Sequence, residues 1–236
     1  DSSPAKLRLT HLELSSLSKE GYRYKTSTIT RVMVSVYIGL TIVETLLLWA
    51  AGMSLFDAVN HAFSTVATGG FSTKNTSVMY FDSTSIDIII TVFMALSAMH
   101  FGVIFAIVAG RSFKPLKHSV TKYYLGIIAV CSIIITFSLK TQGGYESWGG
   151  ALLDSTFQTV SYLTTTGFGQ ADNAMWPLLA NTILIFAAMH CGCAGSTTGG
   201  IKADRMFISL KAIHGDFLKR LHPSSLFRTR VGGKVL

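Results

Sequence analysis

Ser64-Thr65-Val66-Ala67-Thr68-Gly69-Gly70-Phe71 recurs as Ser161-Tyr162-Leu163-Thr164-Thr165-Thr166-Gly167-Phe168. Each copy follows a helix-forming stretch too short to cross a bilayer, and each precedes a long apolar run. A chain that dips into a membrane as a hairpin, turns at glycine and returns has this pattern. Glycine takes positive φ at little steric cost, so the backbone can present its carbonyl oxygens to one side. Such oxygens replace the hydration shell of a monovalent cation in a filter. The candidate ion-binding residues are Ala67, Thr68, Gly69 and Gly70 in the first turn and Thr164, Thr165, Thr166 and Gly167 in the second. Neither turn carries a charge, which disfavours a divalent-cation pore. The threonine hydroxyls either tie the turn to its helix or add oxygen ligands. Glycine–threonine runs also serve simple helix packing, but two copies in matched context exceed what packing requires.

Working outward, Gly70 aligns with Gly167, and the same offset places Gly52 on Gly149, Asp57 on Asp154 and Ser64 on Ser161. Downstream, Ala98-Met99-His100-Phe101-Gly102 matches Ala188-Met189-His190-Cys191-Gly192, with a shorter outer loop in the second copy. The unit is therefore span, short helix, glycine turn, span, used twice. Internal repeats of this kind build many membrane transport proteins. The short helices are expected at Leu55–Val66 and Ala151–Leu163. At 1.5 Å per residue they cover about 20 Å, against roughly 30 Å of hydrocarbon. A helix lying flat in the interface would carry a Lys/Arg-rich face, which neither has. Ser54-x-x-Asp57 reads as a capping box, with Asp154 in the equivalent place. Each half-helix then begins outside and points its partly negative C-terminal end at the turn, which favours a cation.

The wider composition agrees. Of 236 residues 49% are hydrophobic and 14% charged, against about 25% charged in soluble domains. Four stretches could span a bilayer: Arg31–Ala51, Ile86–Gly110, Tyr123–Leu139 and Trp176–Ala194. None resembles a signal peptide, and the chain opens on Asp1 rather than Met, which suggests processing or an interior excerpt. The net charge of +8 is not a nucleic-acid signature, because no aromatic-interleaved basic module accompanies it. All but Lys74 and Lys140 of the 20 basic residues lie before the first span, between the second and third, or after the fourth. Four spans put those regions on one side, and the positive-inside rule makes it the cytoplasm.

Several residues invite functional readings. After the fourth span, Gly195, Ser196, Thr197, Thr198, Gly199 and Gly200 cannot sustain a helix, so that span is expected to break at a cavity. Gly195 to Lys202 misses a Walker A motif because Ile201 separates Gly200 from the lysine and Ala203 follows it. Cys131, Cys191 and Cys193 make no disulfide framework, and His190-Cys191-Gly192-Cys193 lacks the ligand set of a closed zinc site. Glu44 is an intramembrane acid, a functional candidate by default. It lies close enough to the outer end to reach the interface or an interhelical hydrogen bond. His100 and His190 occupy matching places, where interhelical hydrogen bonds are the simple expectation and proton coupling the bolder one. Phe71 and Phe168 are expected to wedge behind their turns. Trp49, Trp148 and Trp176 mark outer boundaries.

At these residues the chain resembles the superfamily of Trk and Ktr potassium-uptake transporters and their plant relatives, in particular its TrkH type. The likeness runs through His61–Thr73, Thr164–Phe168, Gly192–Lys202 and Leu218–Pro223. Thr198 stands where that family more often has glycine, and Gly169 where it has threonine. The resemblance implies a pore of four span–half-helix–span repeats in one polypeptide, of which these are similar to the second and third. It implies potassium as the transported ion and the Gly195–Gly200 loop as a gate under the filter. It also implies a homodimer and a cytosolic ring-forming subunit similar to TrkA, which would carry any regulatory nucleotide.

The expected fold is an all-α membrane protein with two tandem helix–re-entrant pore helix–filter–helix repeats, part of a pseudo-fourfold pore. The segments are a cytoplasmic N-terminal stretch 1–28, a pore repeat 29–110, a cytoplasmic linker 111–122, a second repeat 123–214 with an interrupted last span, and a basic segment 215–236. That last segment suits either the regulatory subunit or anionic lipid. The expected function is potassium uptake across a bacterial inner membrane, with no covalent cofactor, no nucleic acid and no enzymatic activity. Rival readings are a non-selective or cation-coupled relative, a non-conducting assembly subunit, and a membrane enzyme, for which no catalytic pair is visible.

Overall fold

The computed structural model describes residues 26–110, 116, 118–142, 144–221, 230–231 and 234–235. The expected N-terminal stretch 1–28 lies outside these apart from residues 26–28, as do most basic residues of the linker 111–122 and much of the segment 215–236. Eight helices are described: α1 Thr26–Ala50, α2 Leu55–Val66, α3 Thr84–Ser97, α4 Phe101–Gly110, α5 Ser119–Gln142, α6 Trp148–Leu163, α7 Leu178–His190 and α8 Ala203–Leu221. A two-residue antiparallel pair joins Arg230–Val231 to Lys234–Val235.

Two described helices, α1 and α5, are long and apolar enough to cross a membrane. Their outward faces stay apolar, as Ile38, Ile42 and Leu46 on α1 and Val130, Ile133 and Phe137 on α5 show. That is the face a lipid-surrounded helix presents. The short helices α2 and α6 have 12 and 16 residues, about 18 and 24 Å, so both stop short of a full crossing. Helix α2 begins where expected, capped by Ser54, whose Oγ accepts from Asp57 N at 3.1 Å. Helix α6 begins earlier than expected. Its cap is Ser147, whose Oγ accepts from Gly149 N at 3.2 Å, so Gly149 and Gly150 lie inside the helix and Asp154 is no cap.

Neither second span is the continuous helix that hydropathy suggests. Ile86–Gly110 divides into α3 and α4, bent by 104° at Ala98–His100. The backbone there bonds elsewhere: the Ala98 carbonyl accepts from Cys193 N at 2.8 Å, and Phe101 N donates to the Gly195 carbonyl at 3.2 Å. Trp176–Ala194 contains only the 13-residue α7, which stops at His190, before the expected break. Cys191 then takes φ +44°, which ends a helix.

Helix α1 packs on α2, α3 and α4, and α5 packs on α6, α7 and α8. The repeats meet where α3 crosses α6, around Leu48, Ile90, Met94, Phe157, Val160 and Phe168. Lipid is as apolar as these side chains, so close packing and hydrogen bonding hold the seam rather than water exclusion.

Candidate functional site

Both turns share one backbone pattern. Thr68 and Thr165 take φ +52° and +56°, and Gly70 and Gly167 take +69° and +83°. A β-branched residue rarely adopts such φ, and holding it there costs of order 1–3 kcal/mol. The sequence reading credited positive φ to the glycines alone. The threonine pair was detectable only because it occupies equivalent places in the two copies. The N–H groups bond back to the half-helices in parallel. Thr68 N and Thr165 N donate to the carbonyls of Thr65 and Tyr162, and Gly69 N and Thr166 N to those of Ser64 and Ser161. Among the described residues, none of the backbone bonds outside helices and strands ends on a carbonyl of Ala67–Gly70 or Thr164–Gly167. Among the described residues the Ala67 carbonyl accepts from Thr68 Oγ1 at 2.7 Å, and the other carbonyls of the two turns remain available to another ligand.

The turns also touch. A methyl group on Gly70 would collide with the Thr166 carbonyl oxygen, so the two candidate filter segments lie side by side. Thr65 ties to its half-helix through Oγ1 and the His61 carbonyl at 2.8 Å, and the Thr164 hydroxyl pairs with that of Thr166 at 2.7 Å.

The Gly195–Gly200 loop packs against both turns. Thr68 Oγ1 shares its proton between the Ala67 carbonyl at 2.7 Å and the Thr197 carbonyl at 3.1 Å, and Gly199 N donates to Thr165 Oγ1 at 2.9 Å. Thr197 Oγ1 donates to the Ser97 carbonyl at 3.2 Å, beside the α3–α4 bend. Ser196 and Thr198 pair through their hydroxyls at 2.9 Å, and Lys202 Nζ donates to the Thr198 carbonyl. Thr198 is buried and uncharged.

A cavity of about 730 Å³ reaches the second turn, with Asn75, Ser77, Gln158, Thr165, Gly167 and Asn173 in its walls. Asp57 stands in the first turn of α2, outside the spans. Thr73 Oγ1 donates to its Oδ1 at 2.5 Å, and Ser54 and Lys74 contact its Oδ2. The Thr73 bond, aided by Ser54 and Lys74 against the cost of burial, holds this carboxyl below the ordinary carboxylate range. Gln170 Nε2 joins Asp87 Oδ2 at 3.2 Å and Asp154 Oδ1 at 2.9 Å, clamping the two repeats together. Asp154 Oδ2 also accepts from the Tyr145 hydroxyl at 2.7 Å.

Other expectations fare differently. Phe168 is buried and stacks on His61 with centroids 5.8 Å apart, as a wedge should, but Phe71 is 80% exposed. His100 Nδ1 accepts from Gly102 N, and His190 Nδ1 bonds the Phe186 carbonyl. Both serve their own segment, and neither makes the interhelical hydrogen bond expected. Trp49 and Trp148 are exposed, whereas Trp176 packs inside. Glu44 does not reach the interface; it is fully buried. Cys131, Cys191 and Cys193 are buried free thiols, and among the described residues no group of three or more His, Cys, Asp or Glu could hold a metal ion.

Broken helices, paired half-helices and two adjoining uncharged turns define a membrane protein of the re-entrant pore-repeat class. The family described as TrkH, cation transport protein, matches residues 3–236, and the chain belongs to that family. The Trk system potassium uptake protein TrkH of Salmonella typhimurium is 37% identical over 202 residues, 85% of this chain and 42% of that protein. The TrkH of Halomonas elongata is 38% identical over 84% of this chain and 41% of its own. The crystal structure of the potassium transporter TrkH from Vibrio parahaemolyticus superposes with a TM-score of 0.84 at 34% identity, covering 92% of this chain and 47% of that one. The chain thus spans less than half the length of the relatives it matches.

Proposed function

We propose that this chain forms two of the four repeats of a potassium-uptake pore. The carbonyls of Ala67–Gly70 and Thr164–Gly167 would replace part of the ion's hydration shell, and further repeats of the same polypeptide would complete the ring. The observation that carries the reading is the adjoining pair of turns with one shared backbone pattern, their carbonyls left out of the backbone network. The half-helices aim their partly negative ends at those turns, which favours a cation. The relatives named as potassium uptake proteins supply the choice of ion.

The Gly195–Gly200 loop is the proposed gate. It lies against both turns, and its hydrogen bonds to Thr68, Thr165 and Ser97 are individually worth about 1 kcal/mol, few enough to break together. Uptake would run into the cytoplasm across a bacterial inner membrane, with the basic loops inside. A homodimer and a TrkA-like nucleotide-binding ring are the proposed partners. The exposed apolar face of α2 (Leu55, Phe56, Phe63) with Phe71 suits an adjoining repeat.

The test is potassium flux in liposomes bearing the full-length gene product, set against sodium flux. Potassium-selective flux that Gly70→Ser removes is the expected result. Flux absent from the wild-type protein, or indifferent to that substitution, would overturn the reading.

A further inference from the structure

We propose that Asp204 is a positioning residue for the Gly195–Gly200 loop: its carboxylate pins the entry of the loop to the start of α8 and so holds the loop against the two turns. The inference rests on the reading of that loop as a gate.

Between the end of α7 at His190 and the start of α8 at Ala203 the chain forms no helix. Gly195, Gly199 and Gly200 leave this stretch many conformations, so partners must select one. Its tip has them in Thr68, Thr165 and Ser97. Its ends have them at the start of α8. Asp204 Oδ2 accepts from Ala194 N at 2.6 Å, and Ala203 N donates to the Gly192 carbonyl at 2.9 Å. At the far end Lys202 Nζ donates to the Thr198 carbonyl. Three consecutive residues, Lys202 to Asp204, thus close the loop on both sides.

Asp204 is suited to this place. It is 6% exposed and Ala194 is 2% exposed, and each supplies the partner that the other lacks in water. A buried carboxylate is costly unless hydrogen bonds compensate it. A backbone N–H donating to an ionised carboxylate makes a short bond about twice as strong as a neutral one. As the second residue of α8, Asp204 also stands at the partly positive end of the helix dipole.

Fixing Ala194 fixes how Gly195 enters the loop. Gly195 takes φ +72°, its carbonyl accepts from Phe101 N at 3.2 Å, and a methyl group on it would sit 3.0 Å from the His100 ring. The first repeat has no loop to hold and no acid at the matching start. There α4 resumes at Phe101, His100 Nδ1 accepts from Gly102 N at 2.9 Å, and residues 101–110 contain neither Asp nor Glu. A displacement of α8 therefore reaches the loop through one carboxylate.

The experiment uses the full-length protein in liposomes. It measures potassium flux, the preference over sodium, and labelling of Cys193 by a small thiol reagent, located by peptide mapping. Cys193 precedes Ala194 and is 3% exposed, so labelling of the wild type is expected to be slow. Asp204→Ala removes the anchor. It is expected to raise flux and Cys193 labelling about tenfold, the loss of one charge-assisted bond, with the potassium preference unchanged. A misfolded protein would not gain selective flux. Asp204→Asn keeps an acceptor for Ala194 N and is expected to stay within about twofold of wild type in both. Asp204→Ser shortens the side chain while keeping a residue suited to a helix start. It should behave as Asp204→Ala does, and it decides the question alone if that variant does not fold. Unchanged flux and labelling in Asp204→Ala would overturn the proposal. So would an Asp204→Asn variant as altered as Asp204→Ala, since the charge and not the bond would then matter. Labelling that rises without flux would uphold the anchor and overturn the gate reading. Absent potassium flux in the wild type would overturn the pore reading, with labelling still deciding the anchor.

Discussion

The two repeats agree at their turns and diverge on either side of them. Residue for residue, Thr68 and Gly70 match Thr165 and Gly167 in backbone conformation. Their second helices break at nearby but different points: the first ends before Ala98-Met99-His100 and resumes as α4 at Phe101, whereas the second runs through Ala188-Met189-His190 and resumes only at Ala203. The longer gap fills the shorter one, since Cys193, Gly195 and Thr197 bond the backbone at the first bend. The repeats thus share the backbone of the proposed filter and differ where the proposed gate lies.

The sharpest way to break this comparison is at the paired glycines. Gly70→Ser meets both its positive φ and the Thr166 carbonyl, whereas Gly167→Ser meets only its φ. Potassium flux is expected to fall about a hundredfold or more for the first, from strain near 3 kcal/mol, and about tenfold for the second. Equal losses would mean that the close approach at Gly70 carries no weight.

Next come the aligned acids. Asp57→Ala keeps the Ser54 cap of α2 but removes the carboxylate's bonds to Ser54, Thr73 and Lys74, and should cost about 2 kcal/mol in detergent-solubilised protein. Because the folded state holds this carboxyl below its ordinary range, its contribution is present at neutral pH. It is lost as pH falls below about 4 through the lowered value. Melting curves of wild type and Asp57→Ala should therefore converge in acid. Asp154→Ala likewise leaves the Ser147 cap intact and removes the bonds from Tyr145 and Gln170, and should cost about 2 kcal/mol in the same measurement.

Smaller effects test the loop. Thr68→Val and Thr165→Val each cut one tether to Thr197 or Gly199. Each should raise flux up to about fivefold, the worth of one hydrogen bond near 1 kcal/mol. A change in potassium preference instead would make these hydroxyls ion ligands rather than tethers. Least of all, Thr136→Val, which loses the hydrogen bond between the Thr136 and Ser155 hydroxyls, should lower thermal stability by about 1 kcal/mol with flux unchanged.

Much of this was legible in the residues. The two turns, the half-helices and the Ser54 cap follow from glycine placement, helix length and cap chemistry, all local properties. The bend at Ala98–His100 was not legible. Nothing within Ile86–Gly110 breaks a helix, and the cause lies about a hundred residues away in the loop that takes its backbone bonds. Phe71 and Phe168 misled for the same reason: identical in sequence position, they differ because one has a neighbouring helix to bury it and the other has none among the described residues. Asp154 looked like a cap because alignment assigns position but not the start of a helix, which Ser147 decides.

The dependence of that bend on a distant loop also sets an order of assembly. While the ribosome has made only the first repeat, the carbonyls of Ser97 and Ala98 lack Thr197 and Cys193, and hydrocarbon offers them no water. Their ready partners are then the amides one turn onward, so the newborn segment is expected to enter the bilayer as a single straight rod. It folds over only when its later sibling arrives. A translation arrest before Cys193 should therefore trap a protein whose glycosylation or cysteine-accessibility map differs from that of the finished one.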